Sequence, residues 1–159
     1  MGSPTQSVEH SPVNLGAPAP AFKLSGTDDI SLSDFHGKKA VLLYFMREFA
    51  CHTCVGHVLE LARANDQLGK EGVAVLVIGG GNVDAAKRMA TRYNLPFPVL
   101  ADPGRTVYGQ YGLDRVLALW QKSGSFLVDC QGNLRYANSA GKPSAGLDLA
   151  EIGSEIVRM

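Results

Sequence analysis

Two thiols stand three residues apart in Cys51-His52-Thr53-Cys54. A Cys-X-X-Cys pair at a helix start can hold one sulfur as thiolate, because unpaired N–H groups and partial positive charge gather there. Such sites lower one cysteine pKa from about 8.5 to roughly 3.5–7.5. The spacing lets the second thiol close a disulfide onto the first, or resolve a sulfenic acid or mixed disulfide formed on it. Arg47 and His52 would add positive potential nearby. The same residues also permit a metal reading, since Cys51, Cys54 and His57 make C-x2-C-x2-H. Structural zinc sites normally show two ligand pairs. His10, His36 and His52 form no second pair, and Cys130 is distant in sequence. No metal and no cofactor is therefore assigned. Haem attachment needs His directly after the second Cys, where Val55 stands.

The elements that must place these thiols follow from hydrophobic patterning. Val41 to Phe45 is a continuous apolar run, as expected of a strand buried on both faces. Val73 to Ile78 and Pro98 to Ala101 are further runs of that kind. Ser125 to Asp129 and Leu134 to Ala137, separated by Cys130-Gln131-Gly132-Asn133, read as a hairpin. Helical spacing recurs from Val55 to Leu68, from an Asn82 cap to Tyr93, around Arg105 to Tyr111, and from Asp148 to Val157. Alternating strands and helices finished by a hairpin and a helix predict an α/β, thioredoxin-like three-layer fold with a mixed sheet. The segment Phe22 to Leu32 would be an N-terminal addition to it. Residues 1–18, rich in Ser, Pro and Gly, read as a flexible arm, and residues 19–159 as one domain.

Fifteen basic residues balance fifteen acidic ones, which leaves no basic excess for nucleic acid. No run nears the roughly 18 apolar residues of a membrane span. The first residues lack the basic and apolar regions of a secretory leader, so the expected compartment is cytoplasmic. In that reducing setting a close Cys pair is catalytic or metal-binding more often than structural. Gly79-Gly80-Gly81 lacks the spacing of a phosphate loop and reads as a tight turn before the Asn82 cap. Cys130 is expected as a surface thiol in the hairpin, and His57 as a helix-face residue. Leu117-Ala118-Leu119-Trp120 reads as core or as a surface for a homodimer.

Tyr44 to Cys54 resembles the F-x-R-x-x-x-C-x-x-C segment of peroxiredoxin-like proteins of the AhpC/TSA (redoxin) superfamily. Leu95-Pro96-Phe97-Pro98-Val99-Leu100-Ala101-Asp102-Pro103, Tyr108-x-x-Tyr111-Gly112-Leu113 and Ser125-Phe126-Leu127-Val128-Asp129-x-x-Gly132 resemble later blocks of the same superfamily. The resemblance implies a thioredoxin fold and thiol-dependent reduction of hydroperoxides or disulfides, with recharge by a thioredoxin-like or small-thiol reductant. It also exposes departures. The family's P-x-x-x-T-x-x-C motif, laid on Cys54, puts Arg47 at the proline and Cys51 at the threonine. The family's later arginine falls on Ser123. Arg47 is then the candidate to supply the missing cation.

The expected function is thus a peroxiredoxin-like oxidoreductase cycling Cys51 and Cys54, with Arg47 assisting. Thioredoxin logic makes Cys51 the nucleophile, and the peroxiredoxin alignment makes it Cys54. The alternatives are a disulfide reductase or redox-sensing module without peroxidase turnover, and, ranked lower, a metal-handling protein of thioredoxin fold.

Overall fold

All six residues of Ala40–Phe45 are buried, as a run without polar alternation requires. In the computed structural model, which describes residues 13–116 and 120–159, this strand lies inside a seven-stranded sheet. The elements in chain order are β1 (Lys23–Gly26), β2 (Asp29–Ser31), β3 (Ala40–Phe45), α1 (His52–Lys70), β4 (Val73–Gly79), α2 (Val83–Tyr93) and β5 (Val99–Ala101). Then come α3 (Thr106–Gln110), β6 (Arg115–Val116), β7 (Trp120–Gln121), β8 (Ser123–Val128), β9 (Leu134–Ala140) and α4 (Leu149–Arg158). The sheet order is β2-β1-β5-β4-β3-β8-β9. Strands β3, β4 and β5 are parallel, while β8 joins β3 and β1 joins β5 antiparallel. This is the expected mixed sheet.

The alternation of β3 divides the core into two layers. Leu42 and Tyr44 face α1, α2 and α4, meeting Val58, Leu61, Met89 and Ile152. Val41, Leu43 and Phe45 face α3 and the N-terminal segment, meeting Tyr108, Tyr111, Phe126 and Phe22. Right-handed crossovers from β3 to β4 and from β4 to β5 put α1 and α2 on the same face. Each large apolar side chain fully buried in these layers is worth about 1.5–3 kcal/mol.

Local chemistry sets the element ends. Asn82 caps α2 by accepting the Ala85 N–H at 2.8 Å, and Asn94 closes that helix in the left-handed region. Asp148 caps α4 through the Glu151 N–H. Helix α1 begins at His52 rather than Val55, because Cys51 serves as its cap; apolar periodicity does not register a capping sulfur. Strand β8 begins at Ser123, two residues before the expected start. Gly124 permits this extension, since a Cβ there would lie 2.4 Å from the Asn138 carbonyl oxygen.

The expected arm reaches to residue 18, yet the backbone is already tied to the domain from Gly16. The Gly16 N–H donates to the Leu134 carbonyl, Leu134 donates back to Ala17, and Ala19 donates to Gly132. These bonds lie at the start of β9, an edge strand, where they satisfy groups left unpaired by the sheet. Of the apolar segment Leu117–Trp120, residues 117–119 lie outside the described residues. Trp120 itself is 43% exposed.

Candidate functional site

Parallel strands β3, β4 and β5 end side by side, and ligands of open α/β sheets sit beyond such carboxyl ends. The chain leaving β3 at Phe45 runs through residues 46–50 and enters α1 at the dithiol. Three contacts hold this loop. Met46 donates its N–H to the Ile78 carbonyl at 2.9 Å. The Tyr108 hydroxyl, from α3, reaches the carbonyls of both Met46 and Ile78. Phe49 lies on the glycine run, where a Cβ on Gly79 would be 2.2 Å from its ring and one on Gly81 2.9 Å. The guanidinium of Arg105 occupies the same kind of space over Gly80. The three glycines are therefore seats for an aromatic ring and a guanidinium as well as a turn.

Cys51 is the N-cap residue of α1, and its Sγ accepts the Cys54 N–H at 3.3 Å. Cys54 sits in the first turn, fully buried, and its Sγ accepts the Arg47 backbone N–H at 3.3 Å. The two thiols differ sharply in acidity. Burial pushes the Cys51 thiol up, but hydrogen bonds from Cys54 and from Arg47, with the Arg47 charge, outweigh it and leave Cys51 below its ordinary value. Burial, then the bond to Cys51, drives Cys54 up to about 11 despite the Arg47 N–H and the Tyr44 hydroxyl. Cys51 is thus the more acidic thiol of the pair and Cys54 the one that holds its proton more tightly.

Arg47 meets Cys51 as its position suggests, and it has a second contact that the sequence conceals. Its guanidinium stacks 4.4 Å from the centre of the Trp120 ring. The indole N–H donates to the Gly141 carbonyl, which fixes the ring. Among the described residues, the buried Nε of Arg47 has no hydrogen-bond partner, and neither has the hydroxyl of Ser123. Glu48 lies 3.6 Å from the guanidinium at the exposed side. Behind the dithiol, the Tyr44 hydroxyl is 2.8 Å from His57 Nδ1.

His57 is therefore turned towards β3 rather than simply displayed on a helix face. The signal available for it was Tyr44, the polar-tipped side chain in an otherwise apolar strand, which needs a buried partner. Cys130 is an exposed thiol in the β8–β9 turn, and its carbonyl accepts the Gly37 N–H. That places it at the opening end of β3, about 20 Å along six residues of strand from the dithiol. Among the described residues, no group of three or more His, Cys, Asp or Glu side chains is gathered as a metal ion requires. No described helix is long and apolar enough to cross a membrane.

A groove of about 920 Å³ opens between the start of α1 and α2. Phe49, Ala50, His52 and Val55 line one side, and Met89 and Tyr93 of α2 the other, with Lys87, Arg88 and Arg92 around it. Its volume is within the range of small-molecule sites.

Comparisons with known proteins agree with this geometry. The AhpC/TSA family matches residues 15–137. A protein named putative peroxiredoxin bcp from Coxiella burnetii is 38% identical over 104 residues, covering 64% of this chain and 68% of its own length. Peroxiredoxin Bcp of Escherichia coli is 30% identical over 133 residues, covering 79% and 85%. The peroxidoxin BcpB structure from Mycobacterium tuberculosis superposes with a TM-score of 0.77 at 18% identity, over 91% of this chain and 95% of that one. A structure described as a putative thiol:disulfide interchange protein DsbE from Chlorobium tepidum reaches 0.73 at 22% identity, over 91% and 99%. These two share the fold. With a capped dithiol at the end of β3, a thioredoxin-like mixed sheet and a family match over most of its length, the chain belongs to the AhpC/TSA family and is a peroxiredoxin-like, thiol-dependent oxidoreductase.

Proposed function

We propose that Cys51 is the attacking thiolate and Cys54 the resolving thiol in the reduction of hydroperoxides. The observation that carries this reading is the asymmetry of the pair. Cys51 accepts the Cys54 N–H at 3.3 Å and is held low in pKa, while Cys54 is fully buried and pushed up to about 11. The Cys51 thiolate attacks the distal peroxide oxygen. The O–O bond breaks, an alcohol or water leaves after taking a proton, and Cys51 becomes a sulfenic acid. Cys54 then displaces that oxygen as water and forms the disulfide. An external dithiol returns two electrons and two protons.

Arg47 has two parts in this cycle. Its charge favours the thiolate, and its unpartnered Nε–H is a donor for oxygen as the O–O bond lengthens. The groove lined by Ala50 and His52, the two neighbours of Cys51 in sequence, supplies a face for the reductant. Both thiols belong to one chain, so the cycle needs no homodimer. A cytoplasmic setting fits the cycle, because the reducing pool there regenerates the dithiol.

Mass spectrometry after one equivalent of hydrogen peroxide tests the assignment. The expected product has lost two hydrogens across Cys51 and Cys54. In Cys54→Ser, a sulfenic-acid reagent should tag Cys51. A tag on Cys54 in Cys51→Ser at a comparable rate would reverse the two roles, and unreacted thiols in the parent protein would end the peroxidase reading.

A further inference from the structure

A buried thiol held near pKa 11 must still lose its proton each time it resolves Cys51, and no solvent touches it. One path leads out. The Tyr44 hydroxyl is close enough to Cys54 to act on its thiol and also lies 2.8 Å from His57 Nδ1. The phenol and imidazole rings meet edge to face at 5.6 Å. His57 is half-buried on α1, so its far nitrogen can face water. We propose that Tyr44 and His57 form a proton relay that carries the Cys54 proton to solvent during disulfide formation and returns it during reduction.

The chemistry of each group suits its place. Tyr44 is fully buried beside two thiols, which drives its ionisation far out of reach. It therefore passes a proton on rather than holding a charge. Burial lowers the His57 pKa, so the ring is neutral at neutral pH and Nδ1 is free to accept. Glu60 on the same helix acts on His57 in the opposite sense and favours the imidazolium once formed. The other titratable groups acting on Tyr44 are Cys51, Cys54 and Tyr108. The Arg47 N–H stabilises the Cys54 thiolate but cannot accept its proton.

The step balances. The Cys54 S–H proton moves to the Tyr44 oxygen as the Tyr44 O–H proton moves to His57 Nδ1. The Cys54 thiolate attacks Cys51 Sγ, and the leaving group departs with the electron pair of the broken bond. His57 then releases its proton to solvent. Reduction runs the same path backwards.

This inference rests on Cys54 as the resolving thiol, and a disulfide reagent tests it independently of peroxide. All proteins carry Cys130→Ser, which removes the exposed third thiol. Cys51 attacks dithiobis(nitrobenzoate) and releases one thionitrobenzoate, and Cys54 closing on the mixed disulfide releases a second. Stopped-flow absorbance separates the two. In Tyr44→Phe and in His57→Gln, the second rate relative to the first should fall about tenfold or more at pH 7. The loss of the second rate in His57→Gln should be recovered by added imidazole. Its pH profile should climb towards the thiol's own ionisation rather than level off as in the parent. Ratios within about twofold of the parent in both variants, or equal loss without imidazole recovery and with an unchanged pH profile, would overturn the relay. Hydrogen peroxide in a parallel run isolates the other failure: two normal phases with the disulfide reagent but no peroxide reaction would sink the peroxidase proposal and leave the relay intact.

Discussion

Replacing Gly79 with alanine should strike the loop that carries the dithiol. A Cβ at this position would stand 2.2, 2.3 and 2.6 Å from three carbons of the Phe49 ring. Carbon atoms in contact prefer about 3.5–4.0 Å, so the ring must retreat by more than 1 Å, roughly. Overpacking of this size costs about 1–3 kcal/mol. A strand glycine exchanged for alanine regains about 0.5–1 kcal/mol of backbone entropy. The net loss is then about 1–2 kcal/mol, or roughly 2–8 °C in Tm for a domain of this size. Thermal unfolding of the reduced protein measures it. The decisive variant is the pair Gly79→Ala with Phe49→Ala. With the ring gone the methyl has room, so Gly79→Ala should cost nothing in that background, giving a coupling of about 1 kcal/mol or more. Because Phe49 precedes Cys51 by two residues, the single variant should also slow Cys51 alkylation. Equal destabilisation by Gly79→Ala with and without the ring would refute the seating of Phe49 on the glycine run.

Arg47→Ala should raise the Cys51 pKa, because it removes both a hydrogen bond to that sulfur and the opposite charge beside it. The pH profile of iodoacetamide alkylation reads this directly, Arg47→Lys should recover part of the shift, and superimposable profiles would exclude the role. Burial pushes the Asp129 carboxyl up, but the N–H of Asn133, the Arg135 side chain and the N–H of Gln131 outweigh it and hold it below the usual range. Its stabilising effect is therefore present above the unfolded carboxylate value of about 3.9 and is lost as pH falls through the lower folded value. Asp129→Asn should lower Tm by several degrees at pH 7, roughly the loss of a charged hydrogen-bonding group, with the difference closing below about pH 4. A difference independent of pH would contradict it.

The parts of this molecule written in local pattern were legible in its sequence. The run Val41 to Phe45 could only be a central strand, the phase of Val58 and Leu61 puts one face of α1 on it, and Cys51 and Cys54 had to fall at their junction. The relative acidity of the two thiols was not legible, because it depends on how deeply each sulfur is buried and on which N–H groups reach it. The pairs Tyr44–His57, Arg47–Trp120 and Phe49–Gly79 were hidden for a related reason. Each joins residues that no helical or strand period links, and each is made only when β3, the loop after it, α1, β4 and β7 pack together.

Trp120 is the chain's sole tryptophan, and its ring lies against the guanidinium that faces Cys51. On the proposed cycle, oxidation of Cys51 removes the thiolate charge opposite Arg47 and so alters the electric field across the indole. The protein thus carries its own fluorophore within one side chain of the reacting sulfur. Emission from Trp120 gives an unlabelled optical record of each turnover, with no second tryptophan to dilute it.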